Sequence, residues 1–159
     1  MRIAVVGGPD LADLLPLMRA YCDFYGVAPA DAALLDLAHT LAVDPGGEGF
    51  QLIARDDGGR AVGFATVFWS WSTLAAARTA IMNDLFVHPD ARGTGLAEAL
   101  VDECRVRAGR RGAVSMGWQT RKDNARAQRL YDRLGAARAE WIDYSLDTTS
   151  PGSQAPRRE

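Results

Sequence analysis

The stretch HPDARGTGLAEAL, residues 88–100, places an arginine and two glycines just before an apolar helical pattern. The first N–H groups of a helix lack intrahelical partners and the helix dipole is positive there, so a helix start suits anions. Gly93 and Gly95 leave the backbone open to a ligand, and Arg92 offers a planar fork that matches phosphate oxygens. The stretch predicts a phosphate-binding loop, although taken alone a flexible turn explains it equally well.

Two other phosphate loops fit these residues less well. A P-loop needs a lysine and then a serine or threonine after its last glycine, whereas Leu96 and Ala97 follow here. A dinucleotide fingerprint would place Glu98 where the helix must pack closely on a strand. Neither motif is therefore favoured.

The surrounding pattern predicts a mixed α/β fold. Alternating and apolar runs indicate strands at 2–6, 49–55, 61–71, 80–87, 113–119 and 140–146, and helical periodicity indicates helices at 10–25, 29–43, 95–110 and 124–136. The strand–helix–strand unit at 80–119 requires a parallel pair with a right-handed crossover. We expect one domain at 1–147 and a polar, disordered tail at 148–159.

Composition narrows the class of protein. The chain has 159 residues, of which 48% are hydrophobic and 24% charged, and its net charge of −2 disfavours a general nucleic-acid binder. No apolar run approaches the roughly 18 residues that span a bilayer. Cys22 and Cys104 are expected to be reduced core residues, and His39 and His88 show no metal-ligand spacing. We expect a cytoplasmic protein that binds no membrane and no metal.

Charge is distributed unevenly along the chain. Residues 10–48 carry seven acidic groups against Arg19 alone, whereas residues 105–138 carry ten basic groups against two acidic ones. One end of the molecule is therefore expected to favour cations and the other anions. Most of these charges, taken singly, are equally consistent with solvated helix faces.

Two motifs together indicate a family. The loop reads Arg-x-x-Gly-x-Ala from Arg92, and a later helix reads Asn-x-x-Ala-x-x-Leu-Tyr-x-x-x-Gly from Asn124. At this spacing the chain resembles the GNAT superfamily of acetyl-CoA-dependent N-acetyltransferases. The resemblance implies that family's acyl-CoA N-acyltransferase fold. That fold has a central mixed, mostly antiparallel sheet with a splayed parallel pair, flanked by about four helices.

The resemblance also implies a set of cofactor contacts. The pyrophosphate of acetyl-CoA would lie on Arg92, Gly93, Thr94, Gly95, Leu96 and Ala97. The pantetheine arm would bond to the free backbone of Leu85, Phe86 and Val87. The later helix would border the cofactor through Asn124, Ala127 and Tyr131, and the adenosine 3′-phosphate would lie toward the basic half of the chain.

Catalysis of amine acetylation requires a base for the ammonium and an acid for the leaving thiolate. Tyr131 matches the family's usual acid, although a core aromatic is the alternative role at this helical position. Polyamine acetyltransferases of the family resemble the stretch at 69–87 but carry a glutamate where this chain has Asn83. Asn83 cannot act as a base, so Asp84, acting through a water, is the candidate. His88, at a strand exit, is expected to be exposed.

The acceptor is left open by the sequence. The acidic N-terminal helices, together with Trp69 and Trp71 on one strand face, favour a small cationic amine, attacked directly in a ternary complex. A protein or peptide amine is the alternative within the family, and a non-catalytic acyl-CoA sensor of the same fold is a third. We also expect a homodimer.

Overall fold

The computed structural model describes residues 1–148. Its strands are β1 (Arg2–Val5), β2 (Gly49–Arg55), β3 (Ala61–Ser72), β4 (Ala77–Val87) and β5 (Met116–Gly117). Its α-helices are α1 (Leu11–Tyr25), α2 (Asp31–Val43), α3 (Leu96–Arg110) and α4 (Ala125–Arg133), and single 3-10 turns lie at Gly8–Asp10 and Pro89–Ala91. The predicted helices and the predicted hairpin at 49–71 are therefore confirmed.

The five strands form one sheet in the order β1-β2-β3-β4-β5. The first four are antiparallel neighbours, and β4 pairs with β5 in parallel. The mixed, mostly antiparallel sheet confirms the predicted fold class. Because the parallel pair consists only of Ala80 with Met116 and Ile81 with Gly117, the remainder of β4 runs on without β5.

The sheet is covered on both faces. On one face α3 buries Leu96, Leu100 and Cys104 against the sheet. On the other face α1 and α2 bury apolar side chains against Ile53, Phe64 and Phe86. Burial raises the pKa of the thiols of both Cys22 and Cys104, so both free cysteines are poor nucleophiles.

An irregularity in β4 decides which side chains face which layer. In the pairing of β4 with β3, Asp84 lies opposite Thr66 and Met82 lies opposite Val67. Asn83, which stands between them, has no pairing partner on β3. This β-bulge breaks the alternation of faces, so Met82 and Leu85 both pack on the α3 side. Strand parity alone could not have given the direction of Asp84.

Two predicted strands are corrected. The strand predicted at 113–119 is limited to Met116–Gly117, and no strand forms at 140–146 within the described chain. The short β5 offers too few backbone groups to pair with a further strand. The segment 140–146 consequently leaves its apolar side chains exposed. The predicted tail, apart from Thr148, lies outside the described residues.

Candidate active site

The main cleft, of about 590 Å³, lies where β4 and β5 diverge. Its walls come from β4, from the loop before α3, from residues 118–120 after β5, from α4 and from the end of α1. Past Ile81, one edge of β4 is no longer paired with β5. Unpaired strand groups at Leu85 and Phe86 therefore border an open space rather than a neighbouring strand.

The quoted loop forms one end of this cleft. Gly93 and Gly95 adopt left-handed backbone conformations, with φ of 82° and 84°, which favour glycine. A Cβ added at either position would meet no atom within 4 Å, so the space above the loop is open. Ala99 makes the first helical bond of α3, to the Gly95 carbonyl at 3.0 Å. The N–H groups that precede Ala99 in α3 therefore have no intrahelical acceptor.

The charged side chains that line the cleft are mostly positive. Four arginines and one carboxylate line it: Arg92, Arg126, Arg129, Arg133 and Glu98. The Arg92 Nε donates to the Val87 carbonyl at 3.1 Å, which holds the guanidinium beside the loop. Arg133 pairs with Glu98 at 2.7 Å and so links α4 to the start of α3. The predicted concentration of positive charge is present on this wall.

Asn124 and Tyr131 reach the cleft from α4. Asn124 caps the helix, since its side chain accepts a hydrogen bond from the Ala127 N–H at 3.2 Å. The Tyr131 ring packs on Trp118 with centroids 5.1 Å apart. Burial, and to a lesser degree the nearby Tyr25, raise the pKa of the Tyr131 hydroxyl. The hydroxyl stays protonated at neutral pH and can donate a proton from a half-buried position.

Asp84 accepts a hydrogen bond from its neighbour Asn83, whose amide donates to the carboxylate at 3.0 Å. Asp84 lies opposite Thr66 in the pairing of β4 with β3, and Thr66 accepts a bond from the buried Gln51 amide at 3.1 Å. Burial raises the pKa of Asp84 despite the hydrogen bond from Asn83. A carboxylate with a raised pKa is a stronger base than one in water.

Three aromatic side chains of α1 also line the cleft, and sequence reasoning missed them. Tyr21, Phe24 and Tyr25 project from the last turns of α1 and line the cleft. The i,i+4 spacing of Tyr21 and Tyr25 was the available signal. We call these three residues the aromatic wall.

The predicted tryptophan site is not supported. Neither Trp69 nor Trp71 lines the cleft. The Trp69 indole donates to the Pro45 carbonyl at 3.1 Å, and its ring packs against Phe50 and lies near Arg111. Trp71 already carries Arg78 over its ring at 4.8 Å. Both rings are therefore occupied by this chain's own arginines.

The acidic charge of the N-terminal helices is partly neutralised. Arg55 pairs with Asp10 at 2.9 Å and with Asp13 at 2.8 Å, and Arg19 pairs with Asp31. Of the two N-terminal helices, α1 lines the cleft and α2 does not. His88 caps the turn at Pro89–Ala91 by accepting the Asp90 N–H, and it lies outside the cleft.

The cleft fits a long ligand that carries phosphates at one end. An open loop with unpaired N–H groups and several arginines suits a pyrophosphate, and the unpaired edge of β4 suits an amide-containing arm. Within residues 1–148 no cluster of three or more histidine, cysteine, aspartate or glutamate side chains is placed to hold a metal. No helix in that range is long and apolar enough to cross a membrane.

Comparison with known proteins agrees with this geometry. The model of the acetyltransferase (GNAT) family matches residues 14–136. The uncharacterized N-acetyltransferase YhfO of Bacillus subtilis (strain 168) is 33% identical over 135 residues, covering 85% of this chain and 89% of its own. The crystal structure of a probable acetyltransferase superposes with a TM-score of 0.82 and 28% identity, covering 95% of this chain and all of its own.

A more distant structure shares the fold and contains CoA. Aminoglycoside N-acetyltransferase AAC(6')-Iy, in complex with CoA, superposes with a TM-score of 0.80 and 19% identity, covering 92% of this chain and 94% of its own. The chain belongs to the GNAT family of acetyltransferases. It is an acetyl-CoA-dependent N-acetyltransferase.

Proposed function

We propose that this enzyme acetylates a small cationic primary amine, which attacks the thioester directly in a ternary complex. The observation that carries the proposal is the contrast between two walls of one cleft. The loop before α3 and α4 contribute four arginines, whereas α1 contributes the aromatic wall, whose Tyr21 lies near the Asp84 carboxylate. Aromatic faces and a carboxylate attract an ammonium group, whereas arginines repel it.

The proposed cofactor contacts follow the loop and the edge of β4. Bound acetyl-CoA supplies an acetyl thioester and a thiol leaving group. Arg92 and the backbone from Gly93 to Ala97 would bind its pyrophosphate. The unpaired backbone of Leu85, Phe86 and Val87 would orient its arm, and Asn124 and Ala127 would border it from α4.

The proposed catalytic groups are Asp84, Asn83 and Tyr131. Asp84 accepts the proton that the ammonium must lose, and Asn83 fixes the carboxylate by its 3.0 Å hydrogen bond. Tyr131 donates a proton to the leaving thiolate. Because Asp84 must be ionised to accept a proton, and burial raises its pKa, kcat/KM should fall as the pH is lowered through that pKa.

The proposal is tested with three acceptors that differ only at the far end: 1,4-diaminobutane, 4-amino-1-butanol and 4-aminobutanoate. We expect kcat/KM to be highest for the diamine and lowest for the carboxylate, because the second ammonium adds attraction at the aromatic wall. The preference should shrink as salt is raised, since screening weakens charge attraction. CoA release measures all three rates.

Two results would reject the cationic acceptor. One is a higher kcat/KM for 4-aminobutanoate than for the diamine, and the other is a preference that does not change with salt. Acetylation of alaninamide alone would favour a peptide amine. Acetyl-CoA binding without turnover of any of these amines would favour an acyl-CoA sensor.

We also propose that the enzyme is a cytoplasmic homodimer. Support for the dimer comes from the segment 140–146, where Trp141, Ile142, Tyr144 and Leu146 are 79–93% exposed. Four neighbouring large apolar side chains form a surface typical of a protein interface. Two buried free thiols fit a reducing compartment.

Leu146→Ala should weaken this dimer by about 1.5 kcal/mol, roughly tenfold in the dissociation constant, because a buried leucine side chain is lost from the interface. Sedimentation over a concentration series measures the constant. Leu74→Ala is the matched control, since Leu74 is equally exposed in the turn between β3 and β4. A wild-type chain that sediments as a monomer at all concentrations would contradict the proposal.

A further inference from the structure

A row of three polar side chains crosses the face of the sheet that α1 covers. Gln51 on β2 lies opposite Thr66 on β3, and Thr66 lies opposite Asp84 on β4. Directly opposite residues of antiparallel strands point to the same face, with their Cβ atoms about 5 Å apart. The three side chains therefore stand side by side, in the order amide, hydroxyl and carboxyl. We call them the polar row.

The surroundings of the polar row are apolar. The neighbouring row on the same face consists of Ile53, Phe64 and Phe86, which belong to the core beneath α1. Gln51 and Thr66 are 1% and 0% exposed. Polar groups in such a position find hydrogen-bond partners within their own row or remain unsatisfied.

The Gln51 amide forms the first bond within the row. Its Nε2 donates to the Thr66 hydroxyl oxygen at 3.1 Å. Its Oε1 has no hydrogen-bond partner among residues 1–148. An apolar side chain of similar size would avoid this unpaired acceptor, so packing alone gives no reason for an amide at this position. What the amide contributes is its bond to Thr66.

The bond from Gln51 restricts the direction of the Thr66 hydroxyl. A hydroxyl has one proton, and the amide nitrogen that donates to its oxygen cannot accept that proton. On its other side Thr66 faces Asp84, and an ionised carboxylate only accepts hydrogen bonds. A reversed amide would draw the proton toward Gln51 and leave two oxygens facing each other. The observed orientation of the amide therefore offers a donor to the carboxylate.

We propose that Gln51 and Thr66 are positioning residues for the catalytic base. Gln51 donates to Thr66, and Thr66 donates a hydrogen bond to Asp84, which keeps the carboxylate ionised and fixed in direction before an amine binds. Neither Gln51 nor Thr66 lines the cleft, so both act on the reaction only through Asp84. The inference rests on the proposed role of Asp84 as the base, and it does not depend on the identity of the amine.

Two titratable groups on α1 face Asp84, namely the Tyr21 hydroxyl and the Cys22 thiol. Burial, and to a lesser degree the Asp84 charge, raises the pKa of both groups, so both are neutral at neutral pH. Among residues 1–148, the groups that shift the pKa of Asp84 include no arginine or lysine. Hydrogen bonds rather than an ion pair therefore stabilise its charge, and the loss of one donor should be measurable.

The first test follows the Asp84 carboxyl group by carbon-13 NMR and needs no acceptor. Thr66→Val keeps the shape of the side chain and removes the hydroxyl. The pKa of Asp84 should rise in this variant, because a hydrogen bond to the carboxylate favours its ionised form. Thr66→Ser restores a hydroxyl and should restore the wild-type titration.

Thr79→Val is the matched control for this test. It changes the same atoms at a position of β4 that does not line the cleft, and it should leave the titration of Asp84 unchanged. A titration of Asp84 in Thr66→Val that equals the wild type would overturn the proposal.

The second test asks whether Gln51 acts through Thr66. Gln51→Met should raise the pKa of Asp84 by less than Thr66→Val does, because the Thr66 hydroxyl remains but is no longer polarised or held in one direction. In the Thr66→Val background, Gln51→Met should have no further effect. An equal rise in both backgrounds would overturn the proposed path through Thr66.

The double variant also protects the first test against unfolding. Thr66→Val alone leaves the Gln51 amide unpaired, whereas the double variant replaces both buried partners by apolar groups, which is nearly neutral for stability. The pKa of Asp84 should be raised in the double variant as well. A wild-type titration there would overturn the proposal even if the single variant does not fold.

The third test measures kcat/KM against pH for 1,4-diaminobutane and alaninamide. Because the base must be ionised, Thr66→Val should lose on the order of tenfold at pH values below the pKa of Asp84, the effect of one hydrogen bond to a charged group. The ratio of variant to wild type should approach one as the pH rises. A defect in packing would lower the rate at every pH, and Thr79→Val should match the wild type.

The two kinds of measurement separate this inference from the proposed function. An unchanged titration of Asp84 overturns the role of the polar row, whatever the rates are. A raised pKa of Asp84 with a loss of rate that is the same at every pH instead rejects Asp84 as the base.

Discussion

Tyr131→Phe should lower kcat on the order of 100-fold, within the range for loss of a general acid. The change keeps the ring and its packing on Trp118 and removes only the hydroxyl. Acetyl-CoA affinity should change little, because the thioester gains from this group only as charge develops on sulfur. Steady-state kinetics with 1,4-diaminobutane and calorimetry with acetyl-CoA measure the two quantities.

The same substitution elsewhere provides the control. Tyr144→Phe removes a hydroxyl that is exposed and does not line the cleft, and it should leave kcat unchanged. A Tyr131→Phe enzyme with the wild-type kcat would show that Tyr131 serves only as an aromatic packing residue. A loss confined to acetyl-CoA affinity would assign the hydroxyl to binding instead of proton transfer.

Gly95→Glu should weaken acetyl-CoA binding by about 2–3 kcal/mol, roughly 30- to 150-fold. The new carboxylate would lie at the N-terminus of α3, where the proposed pyrophosphate contacts the backbone. Repulsion between the two anions and the added bulk act in the same direction. Calorimetry with acetyl-CoA measures the loss.

Backbone strain must be separated from repulsion in this experiment. Gly95 has a φ of 84°, and a side chain in this conformation costs about 1–2 kcal/mol. Gly95→Ala carries the same strain without the charge. Gly59→Glu carries both the strain, at a φ of 85°, and the charge in an open turn outside the cleft. Wild-type affinity in Gly95→Glu would place the phosphate site elsewhere.

Local patterns were enough to predict most elements of the fold. The helices α1 to α4 follow from apolar periodicity, and the hairpin of β2 and β3 follows from two alternating runs separated by the turn sequence DDGG at residues 56–59. Both signals depend on neighbouring residues only. The strand at 140–146 failed because a strand needs a partner, and the two-residue β5 provides too little backbone for one. An alternating apolar pattern indicates that a segment favours an extended backbone. It does not show that a neighbouring strand is available to pair with it.

The residues of the candidate site also fall into two groups, those that local sequence predicts and those that depend on tertiary contacts. The glycines and arginine of the quoted loop and the Asn124 motif were readable because their chemistry is local to a helix start. The aromatic wall and the packing of Tyr21 on Phe86 were not, because α1 and β4 are far apart in sequence. The direction of Asp84 also depends on the bulge at Asn83, a change in register with β3.

The sequence by itself therefore determined the family and the order of the elements from β1 to α4, since each is encoded in short runs with a fixed spacing. The tertiary structure decided which groups share the cleft. It packed Trp69 against the core, near Arg111, and placed Tyr25 at the cleft, although both are aromatic residues on predicted elements. Which face of an element is buried depends on the layer that packs against it, and that layer is formed by distant parts of the chain.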